Sequence, residues 1–181
     1  MVTYLLVDGE NIDATLGGSI LGGRPASDQR PRWERLLEFA EATWGGPVQG
    51  LFFLNASNGY LPMSFVQALS SQGYRPIPLA GEGKVVDVGI IRTMQALRDR
   101  PGNVVLVSHD GDFAESTAAL LDGTRRVGLL TFREFTSIQL AQLTEKGLEL
   151  FDLEHDAHAF LFTLPRIRII PIEEFDPLAF L

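Results

Sequence analysis

The chain has no cysteine among its 181 residues, which excludes disulfides, thiolate zinc sites and a cysteine nucleophile together. It has no run of eighteen apolar residues, so no segment reads as a membrane-spanning helix. Thr3-Tyr4-Leu5-Leu6-Val7 starts a strand-like run at once, without a basic stretch or a small-residue cleavage site, so no signal peptide is expected. These absences together point to the cytoplasm. Basic charge is also scarce: 15 Lys and Arg stand against 23 Asp and Glu, for a net charge of −8, and only two of the basic residues are lysines. That balance argues against a tight, nonspecific binder of polyanions, because neutralising phosphates takes cationic side chains. It argues less against an enzyme that acts on a polyanion, since metal-binding carboxylates inflate the negative count and bound cations cancel it.

What is present is a core. Hydrophobic residues make up 45% of the chain, enough to exclude global disorder. Runs rich in β-branched and aromatic residues recur at 3–7, 48–54, 74–79, 103–107 and 126–132. Between them lie helical patterns at Trp33–Trp44, Leu61–Ser71, Val88–Arg98, Phe113–Leu121 and Ser137–Leu143. Strands alternating with helices of about ten residues predict a doubly wound α/β fold on a mainly parallel, Rossmann-like sheet. The expected domain runs over 1–146, with 147–181 an extension packed on or near it. Within that extension, 147–151 reads as a short sixth strand and 165–171 as a proline-bounded edge strand. Residues 17–31, rich in Gly, Pro and polar side chains, read as a mobile surface loop. The apolar stretch Phe175–Leu181 has two readings, folding back on its own core or docking on a partner subunit in a homo-oligomer.

The chemistry lies in acidic stretches that follow or precede these runs. Asp8 ends the first strand and Asp110 follows the fourth; if the strand order is 3-2-1-4-5, the two face each other at the carboxyl edge, where open α/β sheets bind ligands. Two carboxylates so placed repel each other unless a cation intervenes. Asp87 and Asp112 lie at helix starts and have a second reading as caps, as does Glu115. Asn11 and Ser108 read as supporting residues that orient the acids. Oxygen ligands without Cys or paired His suit magnesium or manganese rather than zinc. His109, between the acids, reads as an exposed loop histidine, and His155-Asp156-Ala157-His158 matches no zinc spacing. Glu10 and Asp13 read as solvated turn acids.

At these residues the chain resembles the NYN family, a branch of the PIN-like nuclease superfamily. The match lies in Asp8-Gly9-Glu10-Asn11, in Lys84 with Asp87, and in Ser108, Asp110, Asp112 and Phe113, in the family's order over roughly residues 3–145. The resemblance implies a three-layer α/β/α sandwich and a Mg²⁺- or Mn²⁺-dependent nuclease acting on single-stranded or structured RNA. It carries the metal-binding, catalytic role onto Asp8, Asp87, Asp110 and Asp112. One departure stands out: many members have a further Asp six residues after the Lys-x-x-Asp acid, and here that position is Thr93.

Around such a site Lys84, Arg24, Arg30 and Arg32 are candidate contacts for a substrate backbone, with Tyr60 or Phe113 as a stacking surface. Two other functions compete. A phosphatase similar to the haloacid dehalogenases also uses an Asp after strand 1, but it wants a second Asp where this chain has Glu10. A non-catalytic module that binds nucleic acid or protein fits the Thr93 departure and the acidic charge.

Overall fold

Val104-Val105-Leu106-Val107 and Val127-Gly128-Leu129-Leu130-Thr131 alternate no polar face with an apolar one, as strands covered on both sides require. Every residue of both strands is buried. The computed structural model describes all 181 residues. Six strands, β1 (Thr3–Asp8), β2 (Val48–Asn55), β3 (Tyr74–Leu79), β4 (Asn103–Val107), β5 (Val127–Thr131) and β6 (Glu149–Asp152), form one sheet in the order β3-β2-β1-β4-β5-β6. All neighbours run parallel. Strand order reverses at β1 and β4, so their carboxyl ends open side by side.

Because successive strand residues face opposite ways, the sheet feeds two cores. Leu5 and Val7 pack with Ile12 of α1 (Gly9–Thr15), Trp33, Leu36 and Ala40 of α2 (Trp33–Trp44), and Leu69 of α3 (Met63–Ser71). Leu6 and Leu106 pack on the other side with Val86, Ile90 and Met94 of α4 (Val85–Leu97), Leu120 of α5 (Ala114–Leu120), and Leu140 of α6 (Ile138–Ala141). The result is the expected three-layer sandwich, with the sheet parallel throughout. No helix is long and apolar enough to cross a membrane.

Three segments differ from what the sequence pattern predicts. Residues 9–21, given no helix by propensity, form α1 and then a π-helical turn over Leu16–Leu21 that stops at Gly22 with φ 73°. Gly9, Gly17 and Gly18 hide the helix from propensity, and burial of Ile12 and Leu16 overrides it. Helix α4 begins at Val85, earlier than its apolar periodicity suggests, which places Asp87 inside the first turn with Lys84 at the cap position. The expected edge strand at 165–171 does not form, and the segment joins no sheet. There Arg166 turns inward to Asp152 and Glu134, each 2.6 Å away, while Ile167 and Ile169 stand 94% and 91% exposed. Beyond it, Leu178, Phe180 and Leu181 are exposed rather than folded onto the core.

Candidate metal centre and adjoining cleft

Val7 of β1 is in register with Val107 of β4, so the next residues on each strand, Asp8 and Ser108, emerge together. Ser108 Oγ donates to Asp8 Oδ2 at 2.9 Å and accepts from the Asp110 amide at 3.2 Å. Asp8 is only 3% exposed. Burial raises its pKa to about 6 against the bond from Ser108, with the charges of Asp87 and Asp110 adding to the rise.

After β4 the chain turns sharply. Asp110 Oδ1 accepts from the Asp112 amide at 2.9 Å, so Asp110, and not Asp112, is the cap of the turn Gly111–Phe113. The capping role that the sequence offers to Asp112 thus falls to Asp110, and the Asp112 carboxylate is engaged by Lys84 instead. Asp87 reaches the same point from the first turn of α4. Carboxylate oxygens of Asp87, Asp110 and Asp112 all lie within 4.8 Å of one another.

Three like charges this close need a counter-charge. Lys84 supplies it, its Nζ lying 2.9 Å from Asp112, 3.5 Å from Asp87 and 3.8 Å from Asp110. The hydrogen bond to Asp112, then the charge of Asp110, hold the Lys84 proton more tightly than usual. Even so, the Asp87 carboxyl titrates above its ordinary range, through burial first and the charge of Asp110 next, against the pull of Lys84. The ammonium stands where a hard cation would stand, among oxygen donors only, which is the chemistry divalent magnesium or manganese prefers. Lys84 is on an exposed, flexible stem, so an incoming ion can displace it. The residues therefore fit the metal the sequence implies, with Asp87, Asp110 and Asp112 as the converging set. Asp8 lies deeper and outside that set, but it lines the same cleft of about 320 Å³ with Asp87, Asp110, Asn11 and Lys84.

Thr93 gives Oγ1 to the Gly89 carbonyl at 2.8 Å. Six residues along a helix is about 9 Å of rise and roughly 120° from the starting face. An acid at Thr93 would thus sit apart from the Asp87 carboxylate, and its absence removes nothing from the converging three.

His109 is buried, not exposed, at 6%. Its Nε2 accepts from the Phe132 amide at 2.7 Å, which leaves the proton on Nδ1, 3.1 Å from Asn11 Oδ1. The His109 amide donates to that same oxygen at 2.8 Å. The imidazole stacks on Phe132 with ring centroids 5.6 Å apart, and burial pushes its pKa down to about 4. Both ring nitrogens are engaged, so His109 is no general base. It fixes Asn11 with the carboxamide oxygen committed and the amino group left for the cleft.

The remaining candidates divide. Arg24 and Arg30 line a glycine-rich hollow of about 520 Å³ together with Asp13; Arg30 Nε is 3.6 Å from Asp13 Oδ2. Asp13 is no freely solvated turn acid, since burial raises its carboxyl against the nearby Arg30 and Arg24. Arg32 lines neither hollow, and its amide donates to Ala159 O at 2.6 Å. Phe113 is fully buried and cannot stack on a ligand; Tyr60 is exposed.

The NYN domain matches residues 2–148 of this sequence. A crystal structure of a protein of unknown function from Vibrio parahaemolyticus is similar in fold, with a TM-score of 0.65 and 21% identity, over 86% of this chain and 94% of the other. No curated protein matches the sequence.

Proposed function

The chain belongs to the NYN domain family, generally PIN-like nucleases, and from that premise we propose that it is a divalent-metal-dependent nuclease cleaving phosphodiester bonds in RNA. The observation that carries this reading is the convergence of Asp87, Asp110 and Asp112 within 4.8 Å beside the buried Asp8, at the point where strand order reverses. Asp87, Asp110 and Asp112 would hold Mg²⁺ or Mn²⁺, which when bound supplies a Lewis acid and an activated water. Ser108 orients Asp8 on one side and ties down the Asp110 amide on the other. Lys84, once displaced from the carboxylates, reaches toward the substrate phosphate. Asn11 offers amide hydrogens whose direction His109 sets. Arg24 and Arg30 meet the strand beyond the cut. Incubation of single-stranded RNA with manganese tests the reading: the wild type should cleave it. The Asp8→Asn/Asp110→Asn protein should be slower by roughly a hundredfold or more, and full activity in that variant would sink the proposal.

One observation favours a second reading. The ammonium of Lys84 already offsets part of the cluster's charge, as it would in a binding module that has given up its metal. Such a protein would bind the RNA without cutting it in any divalent metal, and Lys84→Met would not change its metal dependence.

A further inference from the structure

The acidic cleft does not end at Asp8. Glu10, on its wall, also lines a second hollow of about 280 Å³ whose other sides are Trp33, Phe52, Leu54, Pro62 and Phe65. Asp13 and Arg30, on the lip of that hollow, line in turn the glycine-rich hollow that holds Arg24. Shared walls make the three one trough: carboxylates, then an apolar slot, then arginines. An apolar slot in the middle of a charged trough calls for an occupant that is apolar in its body and charged on both sides.

The slot is built into the core and is not a gap between loops. Phe52, 1% exposed, is the floor and not a stacking face, held edge-on by Trp33 at 4.9 Å, Phe65 at 5.5 Å and Tyr74 at 5.7 Å; the apolar surface left open is that of the half-buried Pro62 and Phe65. Gly9 lies so close that a Cβ there would sit 2.5 Å from Phe52 Cζ. The lip, by contrast, is unsatisfied. Asp13 Oδ1 and Arg30 Nε, one acceptor and one donor, are both screened from solvent and have no hydrogen-bond partner. Buried polar atoms in native proteins rarely stay unpaired without a reason. Both residues line the slot, and their side chains are more than a third exposed.

A nucleobase meets these demands: flat apolar faces, a polar edge with donors and acceptors, and a phosphate on either side. We infer that the slot receives one unpaired base of the strand whose neighbouring phosphate lies at the carboxylates, so that the substrate is single-stranded at the cut. The inference rests on the nuclease reading for where the phosphate sits. A paired base can enter only by leaving its stack, which costs unpairing energy, so duplex is disfavoured. Phosphates on the far side of the base meet Arg30 and Arg24.

Trp33 and Trp44 are the only tryptophans, so Trp44→Phe leaves Trp33 as a fluorescent reporter on the slot wall. The probes are a short single-stranded RNA, the same strand with one abasic position moved along it, and its duplex, all titrated in calcium so that binding is read apart from turnover. The intact strand should quench Trp33. One abasic position should abolish the quench and weaken binding roughly tenfold, and the duplex should bind weakly and leave Trp33 unquenched. Phe65→Ala should weaken the intact strand by a similar factor and leave that abasic strand unchanged; thermal unfolding of the variant checks its fold, and the abasic scan on the parent decides if it fails. Equal affinity for every abasic position, with no quench, overturns the slot even if manganese-dependent cleavage is observed. Quenching with the abasic signature but no cleavage in manganese keeps the slot and overturns the nuclease.

Discussion

Asp8 is a carboxylate kept from water, with one hydroxyl to accept from and two acids nearby. Its folded pKa of about 6 lies above the value near 3.9 of an unfolded chain. The folded state therefore binds the proton more tightly, and ionised Asp8 opposes folding above pH 6 by an amount that fades as pH falls toward 4. In metal-free protein, Asp8→Asn should raise stability at pH 8 by roughly 1–3 kcal/mol, with the gain gone by pH 4. Urea denaturation of both proteins across that range measures it, and a wild type more stable at pH 8 would show that the ionised form is fully satisfied. His109 titrates the opposite way over pH 4 to 6.5, but it is common to both proteins and cancels. The acids were legible in the sequence because a carboxylate just past a buried strand has few ordinary uses. The burial of His109 was not: nothing local to Ser108-His109-Asp110 announces that Phe132, from the end of the next strand, closes over the ring.

At the scale of elements, the approach of α1 to β2 decides the shape of the slot. Gly9 is where this approach is tightest, and Ala there must displace the ring of Phe52, itself wedged among three aromatics. Gly9→Ala should cost about 1–3 kcal/mol, read by chemical denaturation. It should also impair RNA binding more than manganese binding, because Phe52 walls the slot and none of the three converging carboxylates touches it. Equal losses in both would mean that α1 moves as a whole and takes Asp8 with it. The first five strands were legible to within a residue from hydrophobic runs alone, as was α2, and the strand order supposed for them, 3-2-1-4-5, is the one observed. Less legible were α1, whose glycines conceal it, and the start of α4, where Val85-Val86 has no helical periodicity of its own. That start matters, since it turns Asp87 from a cap into a first-turn acid aimed at Asp110.

Across the whole molecule, one side chain ties the segment that follows Leu164 to the end of the sheet that carries the site. The Arg166 side chain is 2% exposed and bonds to Glu134, Asp152 and Glu154, and its guanidinium lies 4.8 Å over the ring of Phe132, whose amide holds His109. Burial works to raise the Asp152 carboxyl, but Arg166 and the His155 amide outweigh it, so the group stays well below the ordinary carboxylate range. Its contribution is present above the unfolded pKa and is lost as the solution becomes strongly acidic. Arg166→Leu leaves those carboxylates without their cation, a loss of about 3–5 kcal/mol for a buried pair. Thermal unfolding should show it, and limited proteolysis should begin within 165–181; an unchanged Tm would mean that Arg133 takes over. The Arg-Ile-Arg-Ile alternation at 166–169 reads as a strand because strands have that period. Only the fold reveals that Arg166 meets Glu134, Asp152 and Glu154.

The same carboxylates at the strand switch underlie every step of this account, and manganese titrated calorimetrically into wild-type protein and into Asp110→Asn, at neutral pH without substrate, tests them directly. Saturable binding to the wild type, weakened tenfold or more in the variant, is the result expected of a cation seat formed by Asp87, Asp110 and Asp112. The same weak heat from both proteins would contradict it.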